Sequence, residues 1–111
     1  MSVTNIQEGG VVIISVSGRL DSNQTQGLEE VVLDVLKHGD SKLLFDFQEL
    51  EYINSSGLRI LVMAYQRLKK KSDGIVAISG LRDYIQEIFE ISGYDKLFAI
   101  YAEKRDALND L

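Results

Sequence analysis

The chain has 111 residues, of which 45% are hydrophobic, and its 17 acidic and 12 basic side chains give a formal net charge of -5. This length and apolar content are typical of one globular domain, which we expect to span residues 1–111. The acidic excess argues against nucleic acid as a partner. With no cysteine and a single histidine, the chain lacks a thiol nucleophile and a histidine-rich metal site, so we expect no metal and no cofactor.

The first predicted elements are two strands in a hairpin. A weak strand over residues 3–8 and a β-branched run over 11–16 flank a tight glycine turn, and residues 18–21 are expected to lead out of the second strand. Apolar residues at helical spacing then predict a first helix. It carries Leu28, Val31, Val32, Val35 and Leu36. A buried strand follows over residues 43–47.

The rest of the chain alternates helices with strands. A second helix is predicted to begin near Leu58, after a strand-to-helix turn that includes residues 50–57. The later elements are a strand, a third helix, a strand and a short helix, at 75–78, 81–89, 97–101 and 103–110. Three glycines are expected to end helices in the left-handed conformation: Gly39, Gly74 and Gly93. We therefore predict an α/β fold with a single-layer mixed, mostly parallel sheet, an N-terminal hairpin, helices packed against it and the order ββαβαβαβα.

The patterns of charge and hydropathy predict the cellular location of the protein. The one basic cluster, residues 67–71, falls in the last turns of the second predicted helix, where cations complement the helix dipole. No apolar run approaches the ~18 residues of a membrane span, and the start of the chain lacks the pattern of a signal peptide. We therefore expect a cytoplasmic protein with no direct membrane insertion.

The turn Asn54-Ser55-Ser56-Gly57 is the most informative motif. It lies between a buried strand and an amphipathic helix. A serine there can cap the helix by accepting hydrogen bonds from the free amides of its first turn. The same amides and the helix dipole favour an anion, so a phosphate on a serine would also be accommodated. The turn is therefore either an ordinary N-cap or a switch.

Three motifs, taken in order, resemble a known family. They are residues 16–21 (VSGRLD), residues 44–47 (LFDF) followed by 52–58 (YINSSGL), and residues 88–93 (IFEISG) followed by Leu97-Phe98. Each is loose alone, but together they are similar to STAS domains of the anti-sigma factor antagonist family over essentially the full length. The resemblance implies the fold predicted above.

The resemblance also implies a function. Antagonists of this family bind a cytoplasmic anti-sigma factor, usually a serine kinase, and so free the sigma factor. The kinase phosphorylates the first serine of the turn, here Ser55, and a serine phosphatase reverses the change. By the same mapping Asp21 would lie beside Ser55 at the partner-binding end, and Ser56 and Gly57 would start the second helix.

Several alternatives stay open on sequence alone. Asn54 replaces the aspartate that usually precedes the serine, and an amide cannot accept the hydroxyl proton. A non-phosphorylated STAS scaffold, or a subunit of a signalling or lipid-transport complex, is therefore the second hypothesis. Ile60 and Met63 are either deeply buried or form a docking patch beside Ser55. The chain lacks the G-x-S-x-G and nucleotide-loop motifs, so we expect no enzymatic activity.

Overall fold

One mixed sheet of six strands runs through the part of the chain that this computed structural model describes, residues 2–71 and 73–111. The strands are β1 Ser2–Glu8, β2 Val11–Leu20, β3 Lys42–Asp46, β4 Leu50–Ile53, β5 Ile75–Ser79 and β6 Ala99–Tyr101. The helices are α1 Thr25–Lys37, α2 Ser55–Leu68, α3 Asp83–Ser92 and α4 Lys104–Asp110, with a 3-10 turn at Tyr94–Lys96.

The topology follows from how the strands are connected. A glycine turn folds β1 back onto β2, and these two strands pair antiparallel. Helices return the chain before β3, β5 and β6, whereas β4 follows β3 after a short connection without a helix. The remaining pairs are all parallel. The strand order is β1-β2-β3-β5-β6, with β4 beside the end of β2. The predicted fold class, a mixed and mostly parallel sheet with an N-terminal hairpin, is confirmed.

The sequence prediction is wrong at β4, because it assigns residues 50–53 to a turn and residues 18–21 to the exit from β2. Strand β2 is 10 residues long, and β3 pairs only with its residues 12–15. The backbone of residues 18–20 is therefore free to pair with β4. This pairing buries Leu50 and Ile53, which the isolated sequence pattern does not reveal. The observed order is ββαββαβαβα.

The helices lie on both faces of the sheet. Helices α1, α2 and α3 share a large hydrophobic cluster with one face, which includes Ile14 of β2 and Phe45 of β3. Helix α4 covers the other face, where Ala107 packs in a smaller cluster with Ile13 and Leu44. Within residues 2–71 and 73–111, no helix combines the length and apolar character needed to cross a bilayer.

Two of the three helix-ending glycines behave as predicted. Gly39 and Gly93 have φ values of 87° and 81°. Gly74 does not adopt a positive φ, and a Cβ placed on it would lie 1.8 Å from the carbonyl oxygen of Leu68. Glycine is needed there because the chain passes so close to the end of α2. The last strand is also shorter than predicted and begins at Ala99, because a 3-10 turn occupies residues just before it.

Tyr101 and Asp110 tie α4 to the sheet. The Tyr101 hydroxyl donates to the Asp110 carboxylate, and this hydrogen bond, with burial and the negative charge of Asp110, raises the pKa of Tyr101 above 10.0. A pKa raised in the folded state contributes stability that is present below pH ~10 and is lost as the pH rises through the folded-state value. We expect the free energy of unfolding to fall in that range, and Tyr101→Phe to remove part of the fall.

Urea denaturation at several pH values between about 8 and about 11 measures this effect. Tyr94→Phe, which leaves the pair intact, is the control. Identical pH dependence for Tyr101→Phe and the unmodified protein would contradict the prediction.

Candidate functional site

The candidate site lies at the edge of the sheet where β2 and β4 end and α2 begins. Strand β4 ends at Ile53, α2 begins at Ser55, and Asn54 joins them. The Asn54 backbone N–H donates to the carbonyl of Leu20, the last residue of β2, over 3.2 Å. The turn is therefore held at the carboxyl edge of parallel strands, which is where ligand sites form in sheets of this type.

Asn54 is the residue that caps α2. Its backbone is extended, its side-chain oxygen accepts the Gly57 N–H over 3.2 Å, and its carbonyl accepts the Leu58 N–H over 3.0 Å. The expectation that a serine caps the helix, and that the helix begins near Leu58, is corrected. An amide at this position reaches the third helical residue, so Ser55 becomes the first residue of the helix.

A network of neutral groups surrounds the cap. The Asn54 side-chain amide donates to the Ser22 hydroxyl over 3.1 Å, and the Ser22 and Ser56 hydroxyl oxygens are 3.4 Å apart. Ser22 follows β2 and is absent from the sequence-based site. Only the parallel pairing of β2 with β4 brings it beside Asn54, and that pairing was not predicted. Both ends of the Asn54 side chain are thus engaged.

Ser55 is exposed on the first turn of α2. Its hydroxyl forms no hydrogen bond to any residue within 2–71 or 73–111. Arg59 is also exposed and lies one turn further along the same helix face. Asp21 is half-buried at the end of β2, but its carboxylate accepts the Asn23 N–H over 3.1 Å and so belongs to the turn that leads into α1.

Gly57 allows α2 to approach the sheet. The residue is buried, and a Cβ placed on it would lie 2.8 Å from Ile53 Cγ1 and 2.9 Å from Leu20 Cγ. These distances are shorter than ordinary van der Waals contact, so any larger residue would push the first turn of the helix away from β2 and β4. The glycine therefore sets the position of the Ser55 hydroxyl.

Ile60 and Met63, the two apolar residues of the alternative docking patch, have different surroundings. Ile60 is 6% exposed and belongs to the main hydrophobic cluster, so its side chain is buried in the core. Met63 is half-buried at the edge of that cluster. Met63 therefore has the more accessible side chain of the two.

Two tyrosines and an arginine lie near the serine turn. The Arg19 guanidinium lies 4.2 Å from the centre of the Tyr52 ring, within the distance of a cation–π contact. Tyr84 of α3 is 49% exposed, and its hydroxyl donates to the carbonyl of Glu51. Tyrosine and arginine are enriched among the interface residues that contribute most to binding. Sequence reasoning missed these residues because their grouping also depends on β4.

We expect Asn54→Ala to lower the free energy of unfolding by about 1 kcal/mol, because it removes the cap of α2. The loss of the Ser22 hydrogen bond adds to this effect. Gln24→Ala is the matched control, since Gln24 precedes α1 without making a side-chain cap hydrogen bond. Urea denaturation of the two variants measures the difference, and equal changes would show that the Asn54 cap contributes nothing.

Comparisons with known proteins agree over nearly the whole chain. A family model described as the STAS domain matches residues 2–107. The candidate anti-sigma factor antagonist BtrV of Bordetella bronchiseptica is 28% identical over 107 residues, which cover 96% of this chain and 90% of BtrV. The anti-sigma-F factor antagonist RsfB of Mycobacterium tuberculosis is 27% identical over 109 residues, which cover 97% of this chain and 87% of RsfB.

A solved structure has the same architecture. The crystal structure of an anti-sigma factor antagonist from Mycobacterium paratuberculosis is similar with a TM-score of 0.91 and 26% identity. The similarity covers 98% of this chain and 92% of that protein.

Proposed function

Because the chain belongs to the STAS domain family, we propose that it is an anti-sigma factor antagonist that acts by partner switching in the cytoplasm. In this proposal it binds an anti-sigma factor that is also a serine kinase, and phosphorylation of Ser55 ends the binding. The names of two similar proteins support the antagonist role. The observation that carries the switch is the exposed Ser55 hydroxyl on the first turn of α2.

The surroundings of Ser55 support a phosphate that the folded protein tolerates. A phosphoserine carries about -1.5 to -2 charges at neutral pH. At the first position of a helix that charge lies near unpaired backbone amides and the positive end of the helix dipole. The cap formed by Asn54 does not use the Ser55 hydroxyl. The modification would therefore change the surface of the protein while leaving its fold intact.

The proposed partner surface surrounds this serine. It comprises the turn Asn54-Ser55-Ser56-Gly57, Asp21 and the accessible part of Met63, with Ile60 supporting it from the core. The half-buried Tyr52 and the exposed Tyr84 extend it along β4 and α3. Such a surface combines polar groups with the tyrosines that are frequent in interfaces. A serine phosphatase would restore the neutral hydroxyl.

Incubation with candidate serine kinases and ATP, followed by mass spectrometry, tests the proposal. We expect one phosphate on the unmodified protein and on Ser56→Ala, and none on Ser55→Ala. Ser56→Ala is a matched control because it removes the adjacent hydroxyl. A phosphate on Ser56 would contradict the assignment, and tight constitutive binding without any phosphate would contradict the switch.

Asn54 favours a second candidate, a STAS scaffold or complex subunit that is not phosphorylated. Both ends of the Asn54 side chain are hydrogen-bonded, and no carboxylate precedes Ser55 to accept its proton. Asn54→Asp separates the two candidates, since aspartate also caps helices well. If only Asn54→Asp is phosphorylated, the scaffold is favoured. Recovery of a lipid-transport permease as the bound partner would favour the complex-subunit form of this candidate.

A further inference from the structure

A groove between α1 and α2 lies at the opposite end of α2 from Ser55. It encloses about 440 Å³ and is lined by Leu33, Leu36, Lys37, Arg67, Leu68 and Lys71. Helix α2 has 14 residues, which corresponds to about 20 Å between its two ends. The groove is therefore separate from the proposed switch site.

The rim of the groove is basic although the protein is acidic. The chain has a net charge of -5, yet Lys37 ends α1, and Arg67 and residues 69–71 lie in or directly after the last turn of α2. The helix dipoles favour cations at these ends, but they do not account for an apolar surface between them. In the described residues the ion pairs are His38–Asp34 and Arg105–Glu103, so Lys37 and Arg67 have no acidic partner there.

The floor of the groove is apolar and partly open to solvent. Leu68 is buried and Leu36 packs against the core, but Leu33 lies outside both hydrophobic clusters of the described residues. Leu33 and Leu36 are three residues apart, so they form one stripe on α1. The Lys71 ammonium donates to the backbone carbonyls of Gly39 and Asp40, and it thereby connects the chain after α2 to the chain after α1.

We propose that this groove docks an amphipathic helix of a partner protein whose apolar stripe is flanked by glutamate or aspartate. Two helices packed side by side leave a groove that accepts the side chains of a third helix. The leucine floor fits the apolar stripe, and cations on both sides of it fit the acidic flanks. A nucleic acid would use the cations but not the leucines. The groove is independent of Ser55, so the protein could bind two partners at once.

A synthetic helical peptide with leucines at helical spacing and glutamates on both flanks is the probe. Its fluorescence anisotropy is measured against the whole protein at low ionic strength, beside a control peptide with lysines in place of the glutamates. We expect the glutamate peptide to bind more than about tenfold more tightly, and Lys37→Glu with Arg67→Glu to weaken it about tenfold. Lys104→Glu with Arg105→Glu on α4 makes the same charge change elsewhere and should leave binding unchanged.

Leu33→Asn tests the apolar floor separately and should also weaken binding of the glutamate peptide. Circular dichroism verifies that each variant is folded. Equal binding of the two peptides, or equal effects of the two charge-reversed variants, would overturn the proposal. So would binding to vesicles containing anionic lipid in the absence of peptide binding, which would identify a membrane as the occupant. Self-association that is lost in the Lys37 and Arg67 variant would identify a second copy of the chain and overturn it equally.

Discussion

A phosphate on Ser55 is expected to lower the affinity of this protein for the anti-sigma factor that we propose as its partner more than about a hundredfold, which corresponds to a loss of ~3 kcal/mol. A partner surface that fits a neutral hydroxyl would have to accept added bulk and remove water from a dianion. Glu51 is exposed on the neighbouring strand, and Asp21 lies at the same edge of the sheet. Their negative charges reinforce repulsion of any acidic group on the partner.

The same phosphate should leave the stability of the protein nearly unchanged or slightly higher. An anion in the first turn of a helix contributes about 0.3–1 kcal/mol of stability at low ionic strength. The exposed Arg59, one turn away, adds a favourable charge. The predicted loss of affinity therefore arises at the interface and not from unfolding, and thermal denaturation of the phosphorylated protein distinguishes the two causes.

Isothermal titration of the purified anti-sigma factor with homogeneous phosphorylated and unphosphorylated protein measures the effect. Ser55→Ala should bind like the unphosphorylated protein and should not respond to the kinase. An affinity that changes less than about threefold on phosphorylation would rule out an electrostatic switch at this serine.

The sequence predicts the helices and long strands because their apolar residues repeat with a clear period. It does not predict β4, which has four residues and pairs with a part of β2 that lies 32 or more positions earlier in the chain. The error at β4 extends to the site, because Ser22 reaches Asn54 and Tyr84 reaches Glu51 only when that strand is in place. Local pattern thus locates the serine turn, but its neighbours depend on long-range pairing.

The basic cluster at residues 67–71 illustrates the same limit. Its position at a helix end is visible in the sequence and is confirmed, since Arg67 lies in the last turn of α2. The groove is not visible, because it requires α1 and α2 to pack side by side with their ends aligned. A charge that complements a dipole and a charge that lines a docking groove have the same local sequence signature.

Gly57→Ala is expected to lower the free energy of unfolding by about 1–3 kcal/mol, although alanine is the better helix former. The added methyl group would overlap Ile53 and Leu20, both of which are buried and cannot move away freely. Gly57→Val should cost more, since it is larger and β-branched.

Gly27→Ala provides a control of opposite sign. Gly27 is exposed within α1, so the same substitution should raise the free energy of unfolding by roughly 0.5–1 kcal/mol. Urea denaturation compares the two variants directly, and amide exchange of Asn54 shows whether its hydrogen bond to Leu20 weakens in Gly57→Ala. If both substitutions stabilise the protein, helix propensity outweighs packing at Gly57, and the close approach of α2 to the sheet is not what positions Ser55.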